Sequence, residues 1–170
     1  MPELNCRGRW HRAGLLVCLP LLLLANPGYA QLAAEDPDWQ ETEAPAPPAF
    51  SRDKLLPLDM PPYVSLQFGI DPATLVITPD GIVRYVVVAR NAGGSINAMY
   101  EGIRCATGQV KTYARAGSDG VWKPLNEPQW RGLNDNHPSK HALAFARQGG
   151  CDGRSATPSS PADIVRAMKK

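Results

Sequence analysis

The sequence predicts an α+β domain: an antiparallel β-meander sheet covered by one or two C-terminal helices, with one disulfide. Three observations carry this. Short β-branched or alternating apolar runs succeed one another from Val64 to Trp122, each closed by a Gly, Asp or Pro cluster. Helical patterning appears only after Pro138. Strands first and helices afterwards indicate a sheet with helices laid on it rather than alternating βα units.

The chain has 170 residues, 44% of them hydrophobic, which suits one domain. Its start reads as a secretory signal peptide over residues 1–30. Arg7, Arg9 and Arg12 precede the apolar run Gly14–Ala25, and the small residues Gly28 and Ala30 suit cleavage before Gln31. The run is short of the roughly 20 residues needed to cross a bilayer, and Pro20 interrupts it. Cys18 follows Val17 inside the apolar run, which argues against lipidation there. The expected location is therefore the periplasm or the exterior, with no transmembrane segment in the mature chain.

Eighteen basic residues less Arg7, Arg9 and Arg12, and sixteen acidic less Glu3, leave fifteen of each in the mature chain. The charge is unevenly spread. Glu35, Asp36, Asp38, Glu41 and Glu43 lie together with no base before Arg52, so an acidic tail precedes a basic domain, an asymmetry that suits intramolecular masking or partner steering. Cys6 and Cys18 leave with the leader, and Cys105 and Cys151 remain as a pair that an oxidising compartment would join. Residues 31–54 form an acidic, then Ala/Pro-rich, disordered or extended lead-in. Residues 55–170 form the single domain.

Within that domain Val64–Phe68 alternates, and Thr74–Thr78 leads through Pro79-Asp80-Gly81 into Ile82–Arg90. Asp-Gly between two β-branched runs signals a hairpin. Ile82–Arg90 is apolar on both parities in its middle, as a central strand covered on both faces would be. Gly93-Gly94 turns the chain into Asn97–Cys105, Ala106-Thr107-Gly108 into Gln109–Ala116, and Gly117–Gly120 into a short strand at Val121-Trp122. Pro138 opens a helix over Ser139–Gln148 that Gly149-Gly150 closes. After a Ser/Pro linker, Ala162–Lys169 forms a final helix with basic residues at its end.

Strand parity then sorts the candidate site residues. Met99, Glu101, Ile103 and Cys105 share one face with Val110, Thr112 and Ala114 across the hairpin, which leaves Glu101 as a carboxylate on an apolar face. It is either a general acid or base, a structural ion pair with an arginine such as Arg84, or a group at the sheet margin. The opposite face collects Tyr100, Arg104, Lys111, Tyr113 and Arg115, a basic and aromatic stripe that suits an anionic or glycan ligand or an envelope protein. The same stripe also fits an ordinary solvated face or one covered by the acidic tail. His137 and His141, with Asp135 nearby, have the spacing of a surface metal site, but no H-E-x-x-H is present, and capping and exposure account for both. No metal, other cofactor or nucleic acid is expected, and no motif names a catalytic residue.

Tyr85–Arg90, Asn97–Cys105, Lys111–Arg115 and Cys151-Asp152-Gly153, with Trp39 in the lead-in and Trp130–Asn134, resemble the cryptic neisserial protein-like family of proteobacterial envelope proteins. The resemblance spans nearly the whole mature domain. It implies an exported protein and assigns no activity to particular residues. Residues and resemblance together favour a non-enzymatic binding or structural module of the envelope. The alternative is a hydrolase of cell-wall or glycan material with Glu101 as its acid or base.

Overall fold

The computed structural model describes residues 37–153 and 156–170. The leader and cleavage site expected from the sequence, and the first residues of the expected lead-in, lie outside the described residues. Eight strands make one antiparallel sheet: β1 (Leu56–Pro57), β2 (Gln67–Ile70), β3 (Val76–Ile77), β4 (Ile82–Arg90), β5 (Ile96–Arg104), β6 (Gln109–Ala116), β7 (Trp122–Pro124) and β8 (Arg131–Gly132). The order is β1-β2-β4-β5-β6-β7, with β3 also on β4 and β8 also on β6. Two helices follow, α1 (His141–Phe145) and α2 (Pro161–Met168). Among the described residues no helix is long and apolar enough to cross a membrane.

The turns form where the sequence places them. Gly81, Gly94, Gly108 and Gly120 each take the positive φ their turn needs. β4 is buried from Ile82 to Ala89. Val83, Tyr85 and Val87 face a core shared with Phe145, Ala146 and Ile164 of the C-terminal segment, while Val86 and Val88 face a second cluster with Tyr100, Ala114 and Ala116. The first is the helix face; the second is the strap face, crossed by residues 37–54, the strap.

Two elements differ from the sequence reading. The alternation expected over Val64–Phe68 becomes strand only from Gln67, because Val64 N–H bonds back to Pro61 and holds that stretch in a turn. The helix expected over Ser139–Gln148 is α-helical only for His141–Phe145. It then widens into a π-turn over Ala146–Gly150, with Cys151 N–H on the Ala146 carbonyl at 3.1 Å. Gly149 sits at φ 128°, and a Cβ there would meet Ala167 of α2 at 2.6 Å, so only glycine lets α2 close on this turn. Cys151 emerges extended and joins Cys105 at the end of β5, the expected disulfide, with Cα atoms 5.7 Å apart.

The central hairpin carries an irregularity that simple alternation hides. Glu101 pairs with Thr112, but Tyr100 pairs with Ala114, so Tyr113 is an extra residue in β6. Every β6 side chain beyond this bulge exchanges faces. Ala114 therefore joins Tyr100 on the strap face, and Arg115 pairs with Met99 on the helix face, the reverse of the parity reading. Gly102 makes room for the bulge, since a Cβ there would meet the Tyr113 hydroxyl at 2.7 Å and Ile82 at 2.8 Å.

Candidate functional site: a carboxylate node and the pocket beside it

On the helix face Glu101 is 2% exposed, and its carboxylate accepts hydrogen bonds from three elements. Tyr85 Oη of β4 donates to Oε2 at 2.9 Å, Thr112 Oγ1 of β6 to Oε1 at 2.9 Å, and His141 Nε2 of α1 lies 2.9 Å from Oε2. Burial would raise the carboxyl, but the adjacent His141 and these bonds together hold it below the ordinary carboxylate range. Burial, and then the carboxylate itself, push the Tyr85 phenol well above its usual value. The arginine pairing expected for Glu101 is not made. Arg84 pairs in register with Gly102 and so points to the other face. Its place is taken by His141, which is buried rather than exposed and lies flat on Phe68 with ring centroids 5.1 Å apart and planes within 7°. The second nitrogen of that imidazole, Nδ1, is 2.8 Å from Ser139 Oγ.

This node forms part of the wall of a cavity of about 430 Å³ between β5, β6 and the loop 125–139. Phe68, Met99, Val110 and Leu125 supply apolar surface, and the exposed Arg115 and Arg131 line the same space. Glu127, in that loop, holds φ 48°, the single positive φ outside glycine among the described residues. A backbone state costing on the order of 1 kcal/mol is thus retained at the rim. His137 lines the cavity too, but its Nε2 is 2.7 Å from the Gly132 carbonyl oxygen, and no cluster of metal-ligating groups occurs among the described residues.

On the strap face the lead-in lies across the stripe. Glu41 binds Lys111 Nζ at 2.7 Å, accepts from Tyr113 Oη at 2.7 Å and Trp130 Nε1 at 3.1 Å, and sits 3.7 Å from Arg84. Arg104 stacks its guanidinium 3.7 Å from the centroid of Trp39, whose indole N–H donates to the Asp80 carbonyl at 2.8 Å. Thr42 donates through both N–H and hydroxyl to Asp80 Oδ2, at 3.0 and 2.7 Å. Further on, Trp122 Nε1 donates to the Pro48 carbonyl at 2.9 Å, and Phe50 packs edge-on against Trp122. Burial alone would raise Asp80, but hydrogen bonds from Thr78, Thr42 and Arg84 hold it far below its ordinary value. Burial and the bond to Glu41 push the Tyr113 phenol far up.

Of the five stripe residues, Lys111 and Tyr113 thus converge on one carboxylate, Arg104 stacks on the strap and Tyr100 is buried beside Tyr113 and Trp122. Arg115 is not with them. The bulge sends it to the cavity on the helix face, where sequence reasoning placed no candidate except Glu101. Ser139, Arg131 and Phe68 were not legible as site residues. The available signal was Ser-x-His at a helix start, but nothing in the sequence aims it at the Glu101 strand.

Comparison with curated proteins and with solved structures gave no match. A family model does match, covering residues 34–169 and so taking in the strap, the sheet, the pocket and both helices. The chain belongs to the CNP1-like family.

Proposed function

We propose that this protein is an exported binding module of the cell envelope. Its ligand is a small amphiphile with an apolar, acyl-like body and an anionic or ester head, held in the cavity beside Glu101. The observation that carries this reading is the cavity, of about 430 Å³, with Phe68, Met99, Val110 and Leu125 along it and Arg115 and Arg131 at the same space. Concave sites of this size with an apolar lining and few converging polar groups are the usual form of small-molecule sites. The stripe supports the reading less well as a ligand site, because a ligand there must displace Glu41 and Trp39 from contacts already made. Export is supported by the leader pattern, and a Cys105–Cys151 bridge suits an oxidising compartment.

Glu101 as a proton donor is poorly supported. Its oxygens already accept three hydrogen bonds, and these with the adjacent imidazole hold its carboxyl below the ordinary carboxylate range, which disfavours the protonated form a donor needs. Binding is tested by calorimetric titration of the mature protein with decanoate and with octyl phosphate. Saturable binding that weakens about tenfold in Arg115→Ala or Arg131→Ala supports the proposal, that factor being what about 1.4 kcal/mol of a lost charge-assisted contact gives. Absence of saturable binding, or binding indifferent to both substitutions, overturns it. Fractionation of cells expressing the chain with and without residues 1–30 tests export, which requires the truncated form to stay in the cytoplasm.

A further inference from the structure

We propose that Ser139, His141 and Glu101 form a hydroxyl-activating relay, which makes the cavity a site of acyl transfer in which Ser139 attacks an ester of the bound amphiphile. The inference rests on the cavity being a ligand site and adds a reaction to it.

Three observations converge. The first is connectivity: Ser139 Oγ lies 2.8 Å from His141 Nδ1, and His141 Nε2 lies 2.9 Å from Glu101 Oε2. A neutral imidazole has one donor nitrogen and one acceptor. An ionised carboxylate can only accept, so Nε2 carries the proton toward Glu101, and Nδ1 is left to accept from the Ser139 hydroxyl. The second is rigidity. Glu101 is fixed by Tyr85 and Thr112, and the imidazole plane by Phe68. Such a relay needs a base oriented by a third group, and His141 has one. The third is access: Glu101 is closed off, whereas Ser139 is half-buried and lines the cavity. A hydroxyl engaged only to stabilise a turn needs neither an oriented imidazole nor a buried carboxylate behind it.

The step balances without any further reagent. The Ser139 hydroxyl proton passes to His141 Nδ1 while Oγ forms a bond to the ester carbonyl carbon, and the carbonyl π pair moves onto its oxygen. Glu101 stabilises the imidazolium through Nε2–H. Arg115, Arg131, Gln129 and Asn126 border the same cavity and offer donors for the oxyanion. Collapse of the tetrahedral species returns that pair and breaks the bond to the alcohol oxygen, which takes the proton from Nδ1. Water then repeats the sequence on the acyl-serine, releasing a carboxylic acid and restoring the hydroxyl.

The test uses the mature, oxidised protein with a fluorophosphonate probe, read by intact mass and peptide mapping, and 4-nitrophenyl butyrate hydrolysis as a second readout. One adduct on Ser139 is expected, absent in Ser139→Ala and in heat-unfolded protein, and formed about a hundredfold more slowly in His141→Gln, the size of a lost general base. Ser139→Ala removes the partner of His141 Nδ1 but no core packing, so its circular dichroism should match wild type and its melting temperature should fall by no more than about 5 °C. Ser139→Cys should restore covalent capture when challenged with a butyryl thioester. No adduct on Ser139, or butyrate-ester hydrolysis unchanged in Ser139→Ala, overturns the relay. If decanoate still binds in that case, only the relay fails, and if it does not, the pocket reading fails with it.

Discussion

Glu101 and Glu41 each bring a carboxylate to the β5–β6 hairpin, one to each face, and the two are held in different ways. Glu101 comes from the sheet itself, is closed from water, and is met by donors on β4, β6 and α1. Glu41 comes from a segment with no regular structure, keeps 17% of its side chain exposed, and gathers Lys111, Tyr113, Trp130 and Arg84. On the helix face every polar atom of the node has its partner. On the strap face Arg84 Nε is buried without one, a shortfall worth about 1–3 kcal/mol. The helix face is built as a fixed wall beside an open cavity, whereas the strap face is a clasp that closes over surface the sheet would otherwise expose.

That contrast can be broken or sharpened by measurement. The largest effect should come from the helix-face staple. The Cys105→Ala, Cys151→Ala double variant removes a crosslink spanning 46 residues and should cost about 4 kcal/mol in the chain-entropy treatment, read by urea unfolding. Glu101→Gln places an amide N–H among three donors and should cost about 3 kcal/mol, lowering Tm by about 10 °C. A loss below about 1 kcal/mol would put the node on a level with an ordinary surface contact and remove the contrast.

Acid should weaken both faces through carboxylates held down in the folded state. Asp80 and Glu101 have folded values below their ordinary 3.8 and 4.5, so their contribution is complete above that range and is lost as the pH falls below it toward the folded values. Stability measured from pH 6 downward should therefore hold and then fall. Asp80→Asn should flatten the decline by the strap-face share and Glu101→Gln by the helix-face share; an unchanged slope in both would show that other groups govern it. Glu41→Gln should cost only about 1 kcal/mol, because its surroundings are partly solvated, and should increase proteolytic cleavage within residues 37–54. Smallest of all, Arg115→Ala should change stability by less than about 0.5 kcal/mol while weakening decanoate binding. A large loss would place Arg115 back in the strap clasp.

Much of the fold is legible locally. Strand and turn positions follow from β-branched runs and glycines that need positive φ, and the burial of β4 on both faces follows from apolar residues at both parities. Glu101 stands out because parity puts a carboxylate among Met99, Ile103 and Cys105. The site is less legible. A bulge leaves the composition of a strand unchanged, so the extra residue at Tyr113 is invisible to alternation, and Ala114 and Arg115 are assigned to the wrong faces. His141 is equally hidden, since a five-residue helix is too short for periodicity to show which side is buried.

By itself the sequence determined the α+β class, the meander, the pairing of Cys105 with Cys151 and the presence of a charge on an apolar face. All of these rest on local patterning or on counting. Only the tertiary structure decided that the charge meets His141 from a helix 40 residues away, that Ser139 stands behind that imidazole, and that the acidic lead-in closes on the basic stripe. The reason is physical: a side chain's propensity is set by its neighbours along the chain, whereas the partner of a buried polar group is whichever donor packing brings within about 3 Å.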